Sequence, residues 1–219
     1  MKGSHLTGAL VTGAVFLLAP LSEGAVLVDY SFTGDTNSSD TDVSSTATAF
    51  SNNYPSDSGL SGAGNYFVRV EVTPAAPELT NYFTFGVTPV TGLSLNLTSL
   101  SFRLAMVDNS VAAFNGTVFV RSSADGYVAD IASFDQSSTS GSTFVPYGPI
   151  DLSSPLYQGL SGVTFRFYFY DDTNSMASTS IVHRIDDVIV EGTAVPEPAV
   201  AGMLVLMGAA GTLVRRRTI

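Results

Sequence analysis

The sequence predicts an all-β fold, an antiparallel β-sandwich, for the region 25–194 of the 219-residue chain. Short segments rich in valine, isoleucine, threonine, phenylalanine and tyrosine recur about every ten residues, separated by glycine, proline, asparagine, aspartate and serine. This region shows no helical spacing of apolar residues and no alternation of strands with helices. Frequent short strands joined by turns are typical of two antiparallel sheets packed face to face.

Ten strands are predicted, and the clearest of them is 163–170. There Phe165, Phe167 and Phe169 alternate with more polar residues, so one side of the strand is expected to face the core. The last strand has no wholly apolar side, so we expect a β-bulge at 186–187. The predicted strands are 26–32, 41–50, 66–73, 81–87, 93–107, 116–122, 128–134, 144–152, 163–170 and 181–191.

Two connections between these strands can be predicted from their residue types. The polar region 51–64 is expected to be a long loop. The sequence Ser-Ala-Asp-Gly at 123–126 predicts a hairpin turn in which Gly126 takes a positive φ.

Charge and cysteine content narrow the range of functions. Region 25–194 holds seventeen acidic residues, five arginines and no lysine, so its net charge is about −12. A surface of this sign repels nucleic acid and anionic lipid headgroups, and it attracts cations, Ca²⁺ in particular. The chain has no cysteine, which excludes disulfides, thiolate metal sites and a catalytic thiol.

Residues 1–24 have the composition of a secretory signal peptide. Lys2 and the free amine precede an apolar stretch at 6–18, and Pro20 ends that stretch. Small residues follow, so we expect cleavage near Gly24 or Ala25. The rest of the chain is therefore expected to be exported.

The last 25 residues, 195–219, contain three unlike elements in succession. These are the motif Val195, Pro196, Glu197 and Pro198, an uncharged run at 199–214, and the cluster Arg215, Arg216 and Arg217. As a helix the run is about 24 Å long, near the lower limit for a hydrocarbon core of about 30 Å. The arginines would stop this transmembrane helix and hold the C-terminus in the cytoplasm. Proline cannot continue a strand, so we expect an extended segment before the helix, with Glu197 exposed.

This order of motif, apolar helix and arginine cluster resembles the bacterial PEP-CTERM protein-sorting domain. The resemblance implies that exosortase, a membrane protease-transpeptidase, recognises the tail. It also implies an exported protein, either anchored in the cell envelope with its body outside the cytoplasm or released to the surface or extracellular matrix after processing. A plain single-pass membrane anchor is the alternative interpretation of the same residues.

The region 25–194 resembles the β-sandwich domains that commonly precede PEP-CTERM tails, which are similar to concanavalin-type and jelly-roll lectin folds. The resemblance brings no established catalytic residues, and none is assigned. The segments that carry it are 82–85, 88–92, 97–102, 121–126, 163–166 and 184–188.

The same resemblance points to a metal site. In many jelly-roll carbohydrate modules a structural calcium lies between the first and the last strand, which nominates Asp29 with Asp186 or Asp187. The acidic regions 35–42 and 171–174 offer further carboxylates, the ligands that Ca²⁺ prefers. The alternative is that all of these are ordinary solvated turn residues.

Sugar binding would require exposed aromatic rings that stack on pyranose faces. The chain has no tryptophan, so the candidates are Tyr54, Tyr66, Tyr127, Tyr147, Tyr157, Tyr168 and Tyr170. Isolated glutamates and the lone His183 of the body offer no catalytic constellation. The sequence therefore predicts a non-catalytic structural or interaction protein sorted through its tail. The alternative is a carbohydrate-binding module, carrying a structural calcium, with an extracellular polysaccharide as its partner.

Overall fold

The computed structural model describes residues 24–38, 44–54, 58–62, 64–70, 77–108, 115–137, 143–170 and 181–197. Within these ranges the chain forms twelve β-strands and two short 3₁₀ helices, Ser123–Asp125 and Pro155–Tyr157. The strands are β1 Ala25–Tyr30, β2 Ser45–Ala47, β3 Ser51–Asn52, β4 Ser58–Ser61, β5 Asn65–Val70, β6 Phe83–Pro89, β7 Leu93–Asp108, β8 Asn115–Ser122, β9 Ala132–Ser137, β10 Val145–Asp151, β11 Val163–Tyr170 and β12 Ile181–Pro196.

The strands form two six-stranded antiparallel sheets. Sheet A has the order β10-β7-β12-β5-β4, with β1 also paired to β12. Sheet B has the order β2-β6-β11-β8-β9, with β3 paired to β6. Strands β5 to β12 thus give the orders β10-β7-β12-β5 and β6-β11-β8-β9, which is the arrangement of a jelly roll. The predicted all-β sandwich is confirmed.

An aromatic core lies between the two sheets. Phe102 of β7 packs edge-to-face on Phe167 of β11, with ring centroids 5.0 Å apart. Tyr66 of β5 packs in the same way on Phe83 of β6 at 5.4 Å. The three phenylalanines of β11 are at most 3% exposed, as their alternation predicted.

The predicted bulge in the last strand is also confirmed. The pairing of β12 with β7 shifts register between Asp186 and Ile189, and Asp187 has a φ of 46°, in the left-handed region. The bulge lets Ile185 and Val188 both point into the core, although they are three residues apart.

Several features of the strands differ from the prediction, among them the bounds of β2 and β9. The polar region 51–64, predicted as a loop, contains the short strands β3 and β4. The predicted strand 26–32 is observed as Ala25–Tyr30, and its pairing with β12 shifts register between Val26, which is 40% exposed, and Val28. The last strand continues to Pro196, five residues beyond its predicted end. Pairing with a neighbouring strand decides each of these features, and local residue types do not report it.

The N-terminal signal helix expected within the signal peptide 1–24 and the transmembrane helix predicted at 199–214 lie outside the described residues, apart from Gly24. Pro198 and the arginine cluster Arg215, Arg216 and Arg217 lie outside them as well. Within the described ranges, no helix has the length and apolar character needed to span a membrane.

Candidate functional site

The outer side of sheet B carries a second set of aromatic side chains, separate from the core. Tyr168 of β11 is directly opposite Phe119 of β8 in the strand register, and Tyr82 lies just before β6. Phe119 and Tyr168 are buried, yet neither belongs to the core between the sheets. Outward positions of a sandwich are usually polar, so this row is unusual. The aromatic face comprises Tyr82, Phe119, Tyr127, Tyr168 and Tyr170.

The rings of the aromatic face are in direct contact. Phe119 and Tyr168 stack with centroids 4.8 Å apart and planes only 10° from parallel. Tyr82 meets Tyr168 edge-on at 5.7 Å, and Tyr170 meets Phe119 edge-on at 6.0 Å. Phe119 and Tyr168 are each 2% exposed, whereas Tyr82 and Tyr170 are half-buried. Solvent therefore reaches this row mainly through Tyr82 and Tyr170.

Two arginines lie side by side within the aromatic face. Arg166 of β11 is directly opposite Arg121 of β8 in the strand register. The Arg166 guanidinium carbon lies 4.1 Å from the ring centroid of Tyr82 and 3.8 Å from that of Tyr127. The Arg121 guanidinium carbon lies 5.1 Å from the ring centroid of Phe119. Because each cation–π contact contributes about 0.5–2 kcal/mol, the rings hold both guanidinium groups against the sheet.

The two arginines differ in their charge partners. Arg121 donates from Nε to the Asp130 carboxylate at 2.6 Å and from Nη1 to the Tyr127 carbonyl oxygen at 3.1 Å. Arg166 forms no ion pair with any carboxylate in the described part of the chain. Like charges directly opposite on a sheet repel each other, and Asp130 neutralises one of the two. Arg121, Arg166 and Asp130 together therefore carry a charge of +1, in a strongly acidic domain.

The Tyr168 hydroxyl links the ring row to the arginine pair. Burial raises the pKa of Tyr168 above its ordinary 10.0, while a hydrogen bond with Arg166 and the charges of Arg166 and Arg121 act in the opposite direction. The hydroxyl is therefore neutral at physiological pH and can both donate and accept a hydrogen bond.

A tight turn after β8 places Tyr127 against Arg166. The 3₁₀ helix Ser123–Asp125 ends at Gly126, whose φ of 73° confirms the predicted positive value, although β9 begins at Ala132 and not at the predicted residue 128. Tyr127 has a positive φ as well, 64°, which is costly for a residue with a side chain. The Asp125 carboxylate accepts hydrogen bonds from the two backbone N–H groups that follow Tyr127, at 3.2 and 2.8 Å, and so supports this conformation.

The structure separates the seven tyrosines that the sequence suggested for sugar binding. Three are at most 8% exposed and belong to the core: Tyr54, Tyr66 and Tyr157. Tyr147 packs on Phe134 at the sandwich edge, with ring centroids 4.7 Å apart. The remaining three come together on the aromatic face: Tyr127, Tyr168 and Tyr170.

Sequence reasoning missed Tyr82, Phe119 and the two arginines as members of this site. Strand alternation places Arg166 on the same side of β11 as Tyr168, so the sequence could have predicted that these two residues are neighbours on the sheet. The order β6-β11-β8, which joins residues of three strands into one row, is not visible in any single strand.

The predicted calcium ligands lie on β1 and β12 of sheet A. Asp29 pairs with Ile189, two residues after Asp187. The Arg103 guanidinium lies 2.9 Å from the Asp187 carboxylate and 4.0 Å from that of Asp186. Among the residues that the structure describes, no three His, Cys, Asp or Glu side chains are grouped so as to hold a metal. Calcium binding stays a prediction.

Part of the predicted sorting motif is continuous with the domain. Val195 and Pro196 are the last residues of β12, so the strand runs two residues beyond the predicted end of the sandwich domain at Ala194. The Glu197 N–H donates to the Gly92 carbonyl oxygen at 3.0 Å, which puts Pro196 at a non-hydrogen-bonded position of the ladder. Pro196 therefore extends the strand without the loss of a ladder bond, contrary to expectation. Glu197 is exposed, as predicted.

His183 of β12 lies between the sheets. It is 2% exposed, its ring centroid is 4.5 Å from that of Phe169, and neither ring nitrogen has a hydrogen-bond partner in the described part of the chain. Burial lowers the pKa of His183 from 6.5 to about 3. The imidazole is therefore a neutral part of the core at physiological pH.

No protein-family model and no curated protein matches the chain. A solved structure described as "CBM4 structure and function" is 11% identical, with a TM-score of 0.41, over 75% of this chain and 97% of that chain. A structure of TmCBM61 in complex with β-1,4-galactotriose is 10% identical, with a TM-score of 0.30, over 72% of this chain and 85% of that chain.

A third similar structure is the enzymatically active domain of tailspike protein 4 from bacteriophage CBA120. It is 16% identical, with a TM-score of 0.28, over 68% of this chain and 19% of that chain. Scores of this size carry no assignment of function, which has to come from the geometry of the site.

Proposed function

We propose that the β-sandwich is a non-catalytic carbohydrate-binding module and that it binds a polysaccharide across the aromatic face. The observation that carries the proposal is a pair of half-buried rings, Tyr82 and Tyr127, both packed against Arg166 on a side of sheet B outside the core. The buried stack of Phe119 and Tyr168 supports them from beneath. Rings interleaved with polar groups suit a ligand that has both apolar faces and hydroxyl groups.

Recognition of a sugar would be divided between rings and polar groups. Tyr82 and Tyr127 are half-buried, and each has its ring against Arg166. Their accessible ring surface would stack on the C–H face of a pyranose. The half-buried Tyr170 and the exposed Ser133, which is opposite Phe119 in the register, would supply hydroxyl groups to the sugar.

The test uses the purified full chain and affinity electrophoresis through gels that contain neutral or acidic polysaccharides. We expect at least one polysaccharide to retard the chain, and Tyr82→Ala and Tyr127→Ala to weaken that binding about tenfold or more, equivalent to about 1.4 kcal/mol. The matched control is Val128→Ala, which changes a neighbouring residue that is 76% exposed and outside the ring row. Unchanged binding in both tyrosine variants would contradict the site, and no retardation by any polysaccharide would contradict the function.

We also propose that the tail sorts the protein as the PEP-CTERM resemblance implies. The observation that favours this is the exposed Glu197, which directly follows the end of β12 at the domain surface. In this proposal an exosortase-type enzyme recognises 195–198 and the apolar run at 199–214 enters the membrane. The sandwich then lies outside the cytoplasm, held in the cell envelope or released to the surface or matrix.

Cell fractionation tests the sorting proposal. We expect Glu197→Ala to accumulate in the membrane fraction in unprocessed form, because the motif that directs processing is altered. Glu78→Ala changes another exposed glutamate, within the sandwich, and should be processed normally. Recovery of the unaltered protein from the cytoplasm would contradict the proposal.

A further inference from the structure

We infer that the aromatic face selects acidic polysaccharides, and that Arg166 binds the carboxylate of a uronic acid unit. This inference rests on the proposed carbohydrate binding and names the class of sugar that the same site would take.

Arg166 is held in place by aromatic rings, and no carboxylate of the described residues offsets its charge. Contacts with Tyr82 and Tyr127, at 4.1 and 3.8 Å, fix the position of the guanidinium group. Its Nε is enclosed and has no hydrogen-bond partner in the described part of the chain, so the terminal N–H groups are the ones available to a ligand. A guanidinium group is planar, and its paired N–H donors match the two oxygens of a carboxylate.

Two other arginines of the domain are already paired with carboxylates of the chain. Arg103 Nη1 lies 2.9 Å from Asp187 Oδ2, and Arg121 Nε lies 2.6 Å from Asp130 Oδ1. Acidic residues outnumber arginines by more than three to one in region 25–194, so carboxylate partners are plentiful. Among the described residues, no carboxylate pairs with Arg166. The charge of Arg166 can therefore interact with an external anion.

Within the described residues, the arginine pair keeps one positive charge that no carboxylate partner offsets. Arg121 lies directly opposite Arg166, and Asp130 pairs with Arg121 alone. A ligand carboxylate would offset the charge of Arg166 and would gain charge-assisted hydrogen bonds, roughly twice as strong as neutral ones. The negative charge of the whole domain opposes a polyanion, but salt screens it over about 8 Å at physiological ionic strength. The direct contact at Arg166 is screened much less, because it is partly buried.

The experiment measures binding of the full chain to three polyuronates by isothermal titration calorimetry in about 0.15 M salt. The probes are polygalacturonate, alginate and hyaluronate, each compared with its carboxyl-reduced form, which keeps the sugar backbone and loses the charge. We expect at least one acidic polymer to bind about tenfold tighter or more than its reduced form. Arg166→Gln should remove this preference, and Arg166→Lys should keep part of it because lysine retains the charge but not the paired donors.

Arg103→Gln is the matched control, since it removes an arginine from the other sheet, and it should leave the preference unchanged. Melting curves show whether each variant folds. If Arg166→Gln does not fold, the preference measured for Arg166→Lys decides the result. Equal or tighter binding to the reduced polymers would overturn the inference and leave the proposed carbohydrate binding intact. A preference that survives in Arg166→Gln would also overturn it. Binding to no acidic polymer would overturn it too, whereas the wider polysaccharide panel would still decide the proposed function.

Discussion

Replacing His183 with leucine should make the fold more resistant to acid. The imidazole lies between the sheets against Phe169, and no hydrogen-bond partner for either nitrogen occurs among the described residues. A charged imidazole would be an unpaired cation in an apolar surrounding, which is costly. Burial therefore lowers the pKa of His183 from 6.5 to about 3.

The sign of the pH dependence follows from the direction of this change. The pKa in the folded state is below that of the unfolded state, so the stability is fully present above about pH 6.5 and is lost as the pH falls towards about 3. Each pKa unit corresponds to about 1.4 kcal/mol, so the complete loss would approach about 5 kcal/mol. At about pH 4 the unfolded chain is protonated and the folded chain is mostly not, and the loss from His183 is about 3 kcal/mol.

Urea unfolding at about pH 7 and about pH 4 measures this contribution. We expect the free energy of unfolding to fall by about 3 kcal/mol less in His183→Leu than in the unaltered chain. Phe169→Leu is the matched control, because it changes the contacting ring and removes no titratable group, so it should keep the full loss. At about pH 7 the leucine variant should be no less stable, since two unpaired nitrogens are themselves costly to bury. Equal acid losses in His183→Leu and the unaltered chain would refute the reasoning.

Three further predictions concern the backbone, the metal and the turn. In urea titrations, Gly192→Ala should lower the free energy of unfolding by about 2 kcal/mol or more, because its Cβ would lie 2.5 Å from a β7 carbonyl oxygen. Gly62→Ala is the control, because no atom would lie within 4 Å of its Cβ. Excess Ca²⁺ should raise the melting temperature relative to EGTA, and Asp186→Asn should abolish the rise; identical curves would contradict a calcium site. Asp125→Ala should cost about 1–2 kcal/mol in urea titrations and weaken polysaccharide binding in affinity electrophoresis, because it frees Tyr127; full binding would contradict that link.

Local sequence determined the strands whose residue types alternate clearly. The three phenylalanines of β11 face the core as predicted, because alternation is a property of one strand and needs no knowledge of its neighbours. The turn at Gly126 and the bulge at Asp187 were predictable for the same reason, since both follow from the residue types and the alternation within one segment. The acidic charge was fixed by composition alone.

Only the tertiary structure decided which residues form the candidate site. Tyr82, Phe119 and Arg166 lie on or beside three different strands, and the order β6-β11-β8 makes them neighbours. The end of β12 at Pro196 was likewise decided by its pairing with β7, which places the proline where no hydrogen bond is required. A shift of one residue in register would send every ring of a strand to the opposite side of the sheet. Register and sheet order depend on contacts between distant segments, so the residues of any one segment do not specify them.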